Sequence, residues 1–321
     1  MKAPDFWFRT SSSAATLLAP AAALYDMAGR ISRAAASRQH VDAKIICIGN
    51  LVAGGAGKTP VALAIAKLLG TKNIAFLTRG YGGREAGPLL VNTSTHAARD
   101  VGDEALLLAR MAPTWVSRDR PKGARAAVRR GARTMIMDDG FQNPSLTKNL
   151  SILVVDGGTG FGNGRVIPAG PLRETVARGL SRADAVVLVG EDISGVQEAV
   201  GNRVPLFRAR LVPTADAQAL AGRRVVAFAG IGRPQKFFDT LAELGCEILA
   251  QYGFADHKPY RPEQIMAICE EAAALEAIPV TTEKDLVRLP PEAQGMVRTV
   301  PVTLEWDDLT LITDFLSERL A

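Results

Sequence analysis

Short apolar runs alternate with amphipathic segments along most of this chain. Helical periodicity marks Pro60–Leu69, Asp103–Met111, Lys122–Arg129, Gln235–Leu244 and Pro262–Leu275. The apolar runs predict strands at Ile45–Ile48, Ile74–Leu77, Thr134–Met137, Ile152–Val155, Ala185–Val189, Val225–Ala229 and Glu247–Ala250. Strands that are apolar throughout and separated by helices usually pair in parallel and are covered on both faces. The pattern therefore predicts an α/β fold with a mostly parallel sheet flanked by helices.

The 321 residues allow one large domain or two modest ones. The alternating pattern breaks near Arg210–Arg223, where we place a boundary. We expect an N-terminal membrane-associated helix in residues 1–40, a nucleotide-binding core in 41–215 and a smaller C-terminal α/β lobe in 216–321. The Gly-rich stretch Asp156–Pro171 has no periodicity, and long segments of this kind are usually functional or mobile.

Charge and cysteine content narrow the class of protein. The formal net charge of +5 suits anionic partners, or simply a solvated surface with a small excess of arginine. The three cysteines, Cys47, Cys246 and Cys269, are far apart and form no CxxC pair. This argues against a disulfide framework or a zinc site and indicates a reducing cytoplasm. Few aromatic residues and no dense Lys/Arg run argue against a nucleic-acid-dependent ATPase.

An apolar segment lies close to the N-terminus. Residues 14–28 read AATLLAPAAALYDMA, which is shorter than the ~20 residues of a membrane-spanning helix. Arg30, Arg33 and Arg38 follow the segment, whereas a signal peptide carries its basic region first. Two interpretations stay open, a helix lying in the membrane interface and a helix packed on the core.

A Gly-rich loop follows the first predicted strand and leads into a helix, in the sequence GNLVAGGAGKTPVALAIAKLL. This context is typical of a phosphate-binding loop, because glycines let backbone N–H groups point at phosphate oxygens. Lys58 would reach the β- and γ-phosphates, and the Thr59 hydroxyl would bind Mg²⁺. The strict GxxxxGK[ST] pattern would place glycine where this chain has Val52. We expect a P-loop NTPase-type core that binds ATP through Val52, Ala53, Gly54, Gly55, Ala56, Gly57, Lys58 and Thr59.

Acidic residues follow several of these elements. Asp138 and Asp139 end a strand beside the loop, where a carboxylate can hold Mg²⁺ or its water, or simply form an Asp-Gly turn. Asp103 and Glu104 begin a helical segment. There Asp103 either accepts a proton from an acceptor hydroxyl or complements the helix dipole. His257, in the loop FADHKPY, is a candidate to share a proton with a carboxylate, although a solvated histidine is commoner.

Further blocks form one ordered pattern over nearly the whole chain. They are PDFWFR, IGNLVAGGAGKTP, LTRGYGG, VGDEALLLAR, DDGFQ, GFGNGRVIPAGPLRE, FAGIGRP, FADHKPY and TTEKDLVRL. The pattern resembles the tetraacyldisaccharide 4′-kinases, the lipid A 4′-kinases of Gram-negative bacteria. The resemblance implies that ATP-Mg²⁺ phosphorylates the 4′-hydroxyl of an acylated glucosamine disaccharide 1-phosphate, at the cytoplasmic face of the inner membrane.

The resemblance also implies roles for individual side chains. Those expected to act in catalysis are Asp103 as base, His257 as its partner, and Lys58. Those expected at the metal are Thr59, Asp138, Asp139 and Glu174. Those expected at the substrate are Arg79, Tyr81 and Arg173. The N-terminal helix would associate peripherally with the membrane, no nucleic acid partner is expected, and nothing requires more than a monomer.

A GTPase switch or metallochaperone-type regulator is the main alternative class. Such a protein would carry an [NT]KxD block for guanine, and the segment Thr282-Glu283-Lys284-Asp285 has these letters in another order. It would also carry DxxG after the second metal-binding strand, which DDGFQ does not supply. Competition between ATP and GTP for the site separates the two classes.

Overall fold

Two β-sheets organise the chain in the computed structural model, which describes residues 4–9, 11–256 and 258–321. The strands are β1 (Lys44–Gly49), β2 (Ile74–Thr78), β3 (Leu89–Leu90), β4 (Thr114–Val116), β5 (Thr134–Asp138), β6 (Leu150–Asp156), β7 (Ala185–Val189), β8 (Leu206–Pro213), β9 (Arg224–Ala229), β10 (Glu247–Gly253), β11 (Ile278–Thr282), β12 (Arg298–Val300) and β13 (Val302–Trp306).

Helices cover both sheets, and a 3₁₀ helix (Asp5–Phe8) precedes them. They are α1 (Ser13–Leu17), α2 (Ala19–Ala35), α3 (Lys58–Leu69), α4 (Ala98–Val101), α5 (Asp103–Ala109), α6 (Arg120–Arg129), α7 (Val176–Leu180), α8 (Val196–Val200), α9 (Ala215–Gln218), α10 (Pro234–Glu243), α11 (Pro262–Ala274), α12 (Glu283–Leu286), α13 (Pro291–Gln294) and α14 (Leu309–Leu320).

The large sheet has nine strands in the order β13-β8-β7-β6-β1-β5-β2-β4-β3. Its central strands pair in parallel, and the edge pairs β13–β8 and β3–β4 are antiparallel. Strand β1 lies between β5 and β6, so the segments after β1 and β5 leave the sheet side by side. The predicted α/β fold with a mostly parallel sheet is confirmed.

Alternation along β1 divides its side chains between two apolar layers. Ile45 and Cys47 pack in one cluster with residues of α6, α7 and α8, whereas Ile46 and Ile48 pack in another with residues of α3 and α14. Successive side chains of a strand point to opposite faces, so a strand covered on both sides is apolar throughout. This burial explains why the strands are visible as continuous apolar runs in the sequence.

The smaller sheet has the order β10-β9-β11-β12, and its strands pair in parallel. Val225 and Ala227 pack against α10 on one face, and Val226 and Phe228 pack against α11 on the other. We call this sheet with helices α10–α13 the small lobe, and the nine-stranded sheet with its helices the large lobe.

The end of the chain returns to the large lobe. Strand β13 pairs antiparallel with β8, and Ile312 and Leu316 of α14 pack in the core of the large sheet. The sheet topology therefore differs from the predicted lobe 216–321, because the small sheet ends with β12. A division by chain position could not anticipate this pairing, since β8 precedes the whole small sheet in the sequence.

Helices α1 and α2 rest on the large lobe with much of their apolar surface outward. Ala22 packs in the core, while Leu24, Met27 and Ile31 are 63%, 50% and 61% exposed. Their spacing of three and four residues places them on one side of α2, and we call them the apolar stripe. Among the described helices none is long and apolar enough to cross a membrane.

Candidate active site

The loop between β1 and α3, residues 50–57, is called the glycine loop below. Gly54 has φ 134° and Gly57 has φ 84°, conformations that residues with a Cβ rarely adopt. The side-chain amide of buried Asn50 donates to the carbonyl oxygens of Val52 at 2.7 Å and Gly54 at 3.2 Å. These hydrogen bonds stabilise the shape of the loop.

Val52, which departs from the strict glycine pattern, occupies extended backbone. It pairs with Leu172 in an antiparallel bridge, and the Ala53 N–H donates to the Pro171 carbonyl at 2.8 Å. Extended backbone does not require glycine, so a β-branched residue is accepted at this position. The same pairing brings Arg173, the next residue, beside the glycine loop, where its N–H donates to the Leu51 carbonyl at 2.7 Å.

Four predicted residues meet where the glycine loop approaches the end of β5. Lys58 Nζ lies 3.5 Å from Asp139 Oδ1 and 3.4 Å from Asn50 Oδ1. The Thr59 hydroxyl donates to Asp138 Oδ2 at 3.1 Å. Because β1 and β5 are adjacent parallel strands, residues at their ends share one edge of the sheet.

The two carboxylates at this edge differ in their surroundings. Asp138 is fully buried, and burial raises the pKa of its carboxyl to about 7, with the negative charge of Glu104 adding to the effect. Burial also acts to raise the pKa of Asp139, but Lys58 and Arg173 outweigh it and hold that pKa below its usual value. Within the described residues, Asp138 Oδ1 has no hydrogen-bond partner. An unpaired buried carboxylate oxygen is costly unless a cation compensates it.

Arg173 completes a polar network beside these carboxylates. Its guanidinium donates to Asp139 Oδ1 at 3.0 Å and to Gln142 Oε1 at 3.2 Å. The Gln142 amide in turn donates to the Asn50 carbonyl at 2.9 Å. Gln142, which the sequence did not single out, therefore links the glycine loop to the segment after β5.

Glu174 joins this network through Gln142, whose side-chain amide donates to Glu174 Oε1 at 3.4 Å. It is fully buried, accepts a hydrogen bond from Arg182 at 2.5 Å, and has its second oxygen 3.9 Å from Arg33 of α2. In residues 4–9, 11–256 and 258–321, no three His, Cys, Asp or Glu side chains form a group that could hold a metal ion. Glu174 is thus linked to Asp139 through Gln142 and Arg173, and its role as a metal ligand stays a prediction.

Asp103 lies at the start of α5, where the two lobes meet. Its side chain is 4% exposed, its Oδ1 accepts the Glu104 N–H at 2.9 Å, and its Oδ2 lies 3.6 Å from Nε of Arg288 in the small lobe. His257, the predicted partner of Asp103, lies outside the described residues. The adjacent Asp256 has Oδ1 3.8 Å from Lys284 Nζ.

The loop after β2 packs closely against the start of α5. Gly102 has φ 89°, and a Cβ at this position would lie 2.4 Å from the Tyr81 carbonyl oxygen. Only glycine permits such an approach, which brings the backbone of Tyr81 beside the residue that precedes Asp103. The side chains of Arg79 and Tyr81, the two predicted substrate residues of this loop, are exposed.

Two further cations at the site were not singled out from the sequence. Arg120 is 3% exposed, donates to the Ser117 carbonyl at 3.1 Å, and has its pKa lowered to about 10 by burial. Lys284 Nζ lies 3.3 Å from Glu104 Oε1. Burial acts to lower the pKa of Lys284, but the negative charges of Glu104 and Asp103 outweigh it and raise that pKa. Nothing in the sequence marks Arg120, because this residue follows an Asp N-cap as at an ordinary helix start. Lys284 lies in the TTEKDLVRL block, which was the available signal for it.

The small lobe lies directly over the glycine loop. Arg233 and Lys236 of this lobe both form ion pairs with Asp156 at the end of β6. A Cβ built on Gly232 would lie 3.6 Å from the Gly55 nitrogen and 3.5 Å from Asp256 Oδ2. The cleft between the lobes is therefore lined by the glycine loop on one side and by Gly232 and Asp256 on the other.

A glycine loop at a central parallel strand, with lysine, threonine and adjacent carboxylates, is the arrangement with which α/β proteins bind nucleoside triphosphates. Residues 14–321 match the model of the family described as tetraacyldisaccharide-1-P 4′-kinase. The chain belongs to this family. The GTPase and metallochaperone alternative is not favoured.

Relatives and a solved structure resemble the chain over almost its full length. Proteins named tetraacyldisaccharide 4′-kinase from Rhodospirillum centenum and Paramagnetospirillum magneticum are each 51% identical, covering 100% and 98% of this chain and 97% of their own. LpxK from Aquifex aeolicus, described as an "apo" form in complex with ATP, has a TM-score of 0.78 at 26% identity. That match covers 96% of this chain and 99% of the other.

Proposed function

We propose that this protein is an ATP-dependent kinase that phosphorylates the 4′-hydroxyl of a tetraacyldisaccharide 1-phosphate in lipid A biosynthesis. The observation that carries the proposal is the meeting of Lys58, Thr59 and Asp138 at the glycine loop, in a chain of this family. Phosphoryl transfer needs positioning and charge neutralisation more than covalent chemistry, and these side chains can supply both.

In this proposal the glycine loop binds the phosphates of ATP. Its backbone N–H groups and the start of α3 form a site that favours negative charge. Lys58 Nζ would exchange its 3.5 Å contact with Asp139 for the β- and γ-phosphates. The Aquifex LpxK structure described as a complex with ATP supports the identity of the nucleotide.

Mg²⁺ fits the residues at the end of β5. Hydroxyl and carboxylate oxygens are its preferred ligands, and it retains several waters or phosphate oxygens. It would be held by Oδ1 of buried Asp138, which has no hydrogen-bond partner among the described residues, and by the Thr59 hydroxyl 3.1 Å from Oδ2. When bound, Mg²⁺ would neutralise charge on the transferred phosphate. We assign Asp139 the secondary role, because Lys58 and Arg173 already engage its Oδ1.

The acceptor hydroxyl would lie at Asp103. One carboxylate oxygen of Asp103 is held by the Glu104 N–H, which fixes the orientation of a base that receives the hydroxyl proton. Exposed Arg79 and Tyr81 would contact the sugar and its 1-phosphate, since a guanidinium binds phosphate oxygens in pairs. Arg173 would face the transferred phosphate, and His257 remains the proposed partner of Asp103.

An acylated substrate lies in a bilayer, and the apolar stripe could bring the protein to that surface. A helix with exposed Leu24, Met27 and Ile31 and trailing arginines suits the interface of a bilayer. We therefore propose peripheral association of a monomer with the cytoplasmic face of the inner membrane through α2.

The test is incubation with [γ-³²P]ATP, Mg²⁺ and detergent-dispersed tetraacyldisaccharide 1-phosphate. The expected result is labelled lipid, with Lys58→Ala lowering kcat by about 10²–10³-fold because charge stabilisation is lost. Lys67→Ala, at an exposed position of the same helix, is the control and should change kcat less than about two-fold. A folded, ATP-binding protein that labels no lipid would contradict the proposed acceptor, and equal use of GTP would contradict the proposed donor.

A further inference from the structure

The two lobes meet at a buried ion pair. Nε of Arg288 lies 3.6 Å from Oδ2 of Asp103, and the two side chains are 5% and 4% exposed. Asp103 belongs to α5 of the large lobe, whereas Arg288 follows α12 of the small lobe. Buried charges are expensive unless they are paired in good geometry, so this contact links the position of Asp103 to the docking of the small lobe.

Arg288 is held in place by its own lobe. Its Nη2 donates to the Gly230 carbonyl at 2.7 Å and to Asp285, and its Nη1 donates to the Lys258 carbonyl at 3.2 Å. The guanidinium carbon also lies 5.3 Å from the centre of the Tyr260 ring. A guanidinium with both terminal nitrogens engaged by protein acceptors is preorganised, and it is a poor candidate for a phosphate ligand.

Asp285 supports this arrangement from inside the small lobe. It is fully buried, and its Oδ1 accepts the Tyr260 hydroxyl at 2.6 Å and the Gly230 N–H at 3.0 Å. The Thr282 hydroxyl donates to its Oδ2 at 2.6 Å. A Cβ at Gly230 would lie 2.7 Å from the Tyr260 hydroxyl oxygen, so the network leaves no room for a side chain at that position. Two acceptors of Arg288, the Asp285 carboxylate and the Gly230 carbonyl, are thereby fixed.

We propose that Arg288 is the positioning residue for Asp103, an inference that rests on the proposed kinase function. At 3.6 Å the contact is longer than a hydrogen bond, so its attraction is chiefly coulombic. The guanidinium attracts the Asp103 carboxylate and holds its Oδ2 in one orientation without touching the reacting atoms. Asp103 is then correctly positioned as a base only when the small lobe, which carries Arg288, is docked over the site.

Three variants test this role by kcat, KM for ATP, ATP affinity and thermal unfolding. Arg288→Gln removes the charge and should lower kcat by about 10–100-fold while KM for ATP changes less than about two-fold. Arg288→Lys keeps a charge and should recover part of kcat, which also provides a variant if Arg288→Gln folds poorly. Arg110→Gln is the control, because it breaks the exposed Arg110–Glu283 pair, 3.6 Å long, between the same lobes and should leave kcat unchanged.

A double-mutant cycle distinguishes positioning from general support of the fold. If Arg288 acts through Asp103, then Arg288→Gln should lower kcat no further in an Asp103→Asn background. An equal loss in both backgrounds, or full kcat for the folded Arg288 variants, would overturn the positioning role and leave the kinase intact. A wild-type protein that transfers no phosphate to the disaccharide would overturn the proposed function and the positioning role with it.

Discussion

The burial of the Asp138 carboxylate lowers the stability of the fold but suits the binding of a cation at the site. Thr59 donates to one of its oxygens, and within the described residues the other has no hydrogen-bond partner. Active sites retain such groups because the strain of burial is compensated when a ligand binds. Asn50 shows the opposite case, since its amide is satisfied by the glycine loop that it shapes.

Asp138→Asn should raise the melting temperature of the nucleotide-free protein and abolish turnover. Burial raises the pKa of Asp138 to about 7, above the ordinary value of 3.8 that we take for the unfolded chain. Protonation therefore favours the folded state, and this contribution is lost as the pH rises through 7. Asparagine carries no titrating proton, so the gain in melting temperature should be larger at pH 8 than at pH 5.5.

Differential scanning fluorimetry at the two pH values measures this effect. Asp42→Asn is the matched control, because Asp42 is 87% exposed and its surface pair with Arg133 should contribute little. A variant whose melting temperature is unchanged or lower at both pH values would show that the buried carboxylate does not destabilise the fold.

Helix α2 is the element whose surface departs most clearly from an ordinary packed helix. The Asp26 carboxylate receives two hydrogen bonds from Arg178, which attach the helix to α7, and the hydrogen bonds from Arg178 lower the pKa of Asp26. The sequence left interface and core packing as equal alternatives for this helix. The exposed apolar stripe supports the interface interpretation, and membrane association stays a prediction.

Leu24→Ser combined with Ile31→Ser should weaken binding to vesicles, because each change removes an apolar side chain that would enter the bilayer interface. Cosedimentation with phospholipid vesicles measures the bound fraction, which should fall several-fold. The double variant Leu309→Ser and Leu311→Ser is the control, since these side chains are 54% and 55% exposed on α14, away from the stripe. An equal bound fraction for both double variants would argue against α2 as the membrane contact.

At the scale of the whole molecule, the arrangement of the two lobes decides access to the nucleotide site. Ion pairs from Arg233 and Lys236 to Asp156 hold the small lobe near the glycine loop. Gly232 faces Gly55 across this contact, and a Cβ there would be in ordinary van der Waals contact with the Gly55 nitrogen. The fold therefore tolerates a small side chain at Gly232. Such a side chain would, however, fill the space over the glycine loop.

Gly232→Val should weaken ATP binding by about ten-fold, which corresponds to about 1.4 kcal/mol, because its methyl groups would occupy the space of a phosphate oxygen at the Gly55 N–H. Isothermal titration with ATP measures the change. Gly295→Val is the control, since a Cβ at Gly295 in the same lobe meets open space. ATP binding of wild-type strength by Gly232→Val would place the phosphates elsewhere in the cleft.

Several features of the fold and site follow from local sequence. The β1 and β5 runs are apolar because both faces of the sheet are buried. Lys58 and Thr59 begin the helix that the glycine loop joins to β1, Asp138 ends β5, and Asp139 follows it directly. Residues at the ends of adjacent parallel strands meet by geometry, so their grouping could be predicted without a structure. The departure from the strict glycine pattern at Val52 is accommodated by the fold, because that position is extended and pairs with Leu172.

Only the tertiary structure decided which distant side chains face one another. It paired Asp103 with Arg288, placed Arg182 and Gln142 beside Glu174, and returned β13 to the edge of the large sheet at β8. Chain order and periodicity do not predict these contacts. The Asp103–Arg288 pair and the β13–β8 pairing join elements that are far apart in the sequence. Glu174 and Arg182 are 8 residues apart, but their pairing depends on the burial of Glu174 in the folded protein. The tertiary packing determines which buried charges pair, so these pairs can be identified when the complete fold is known.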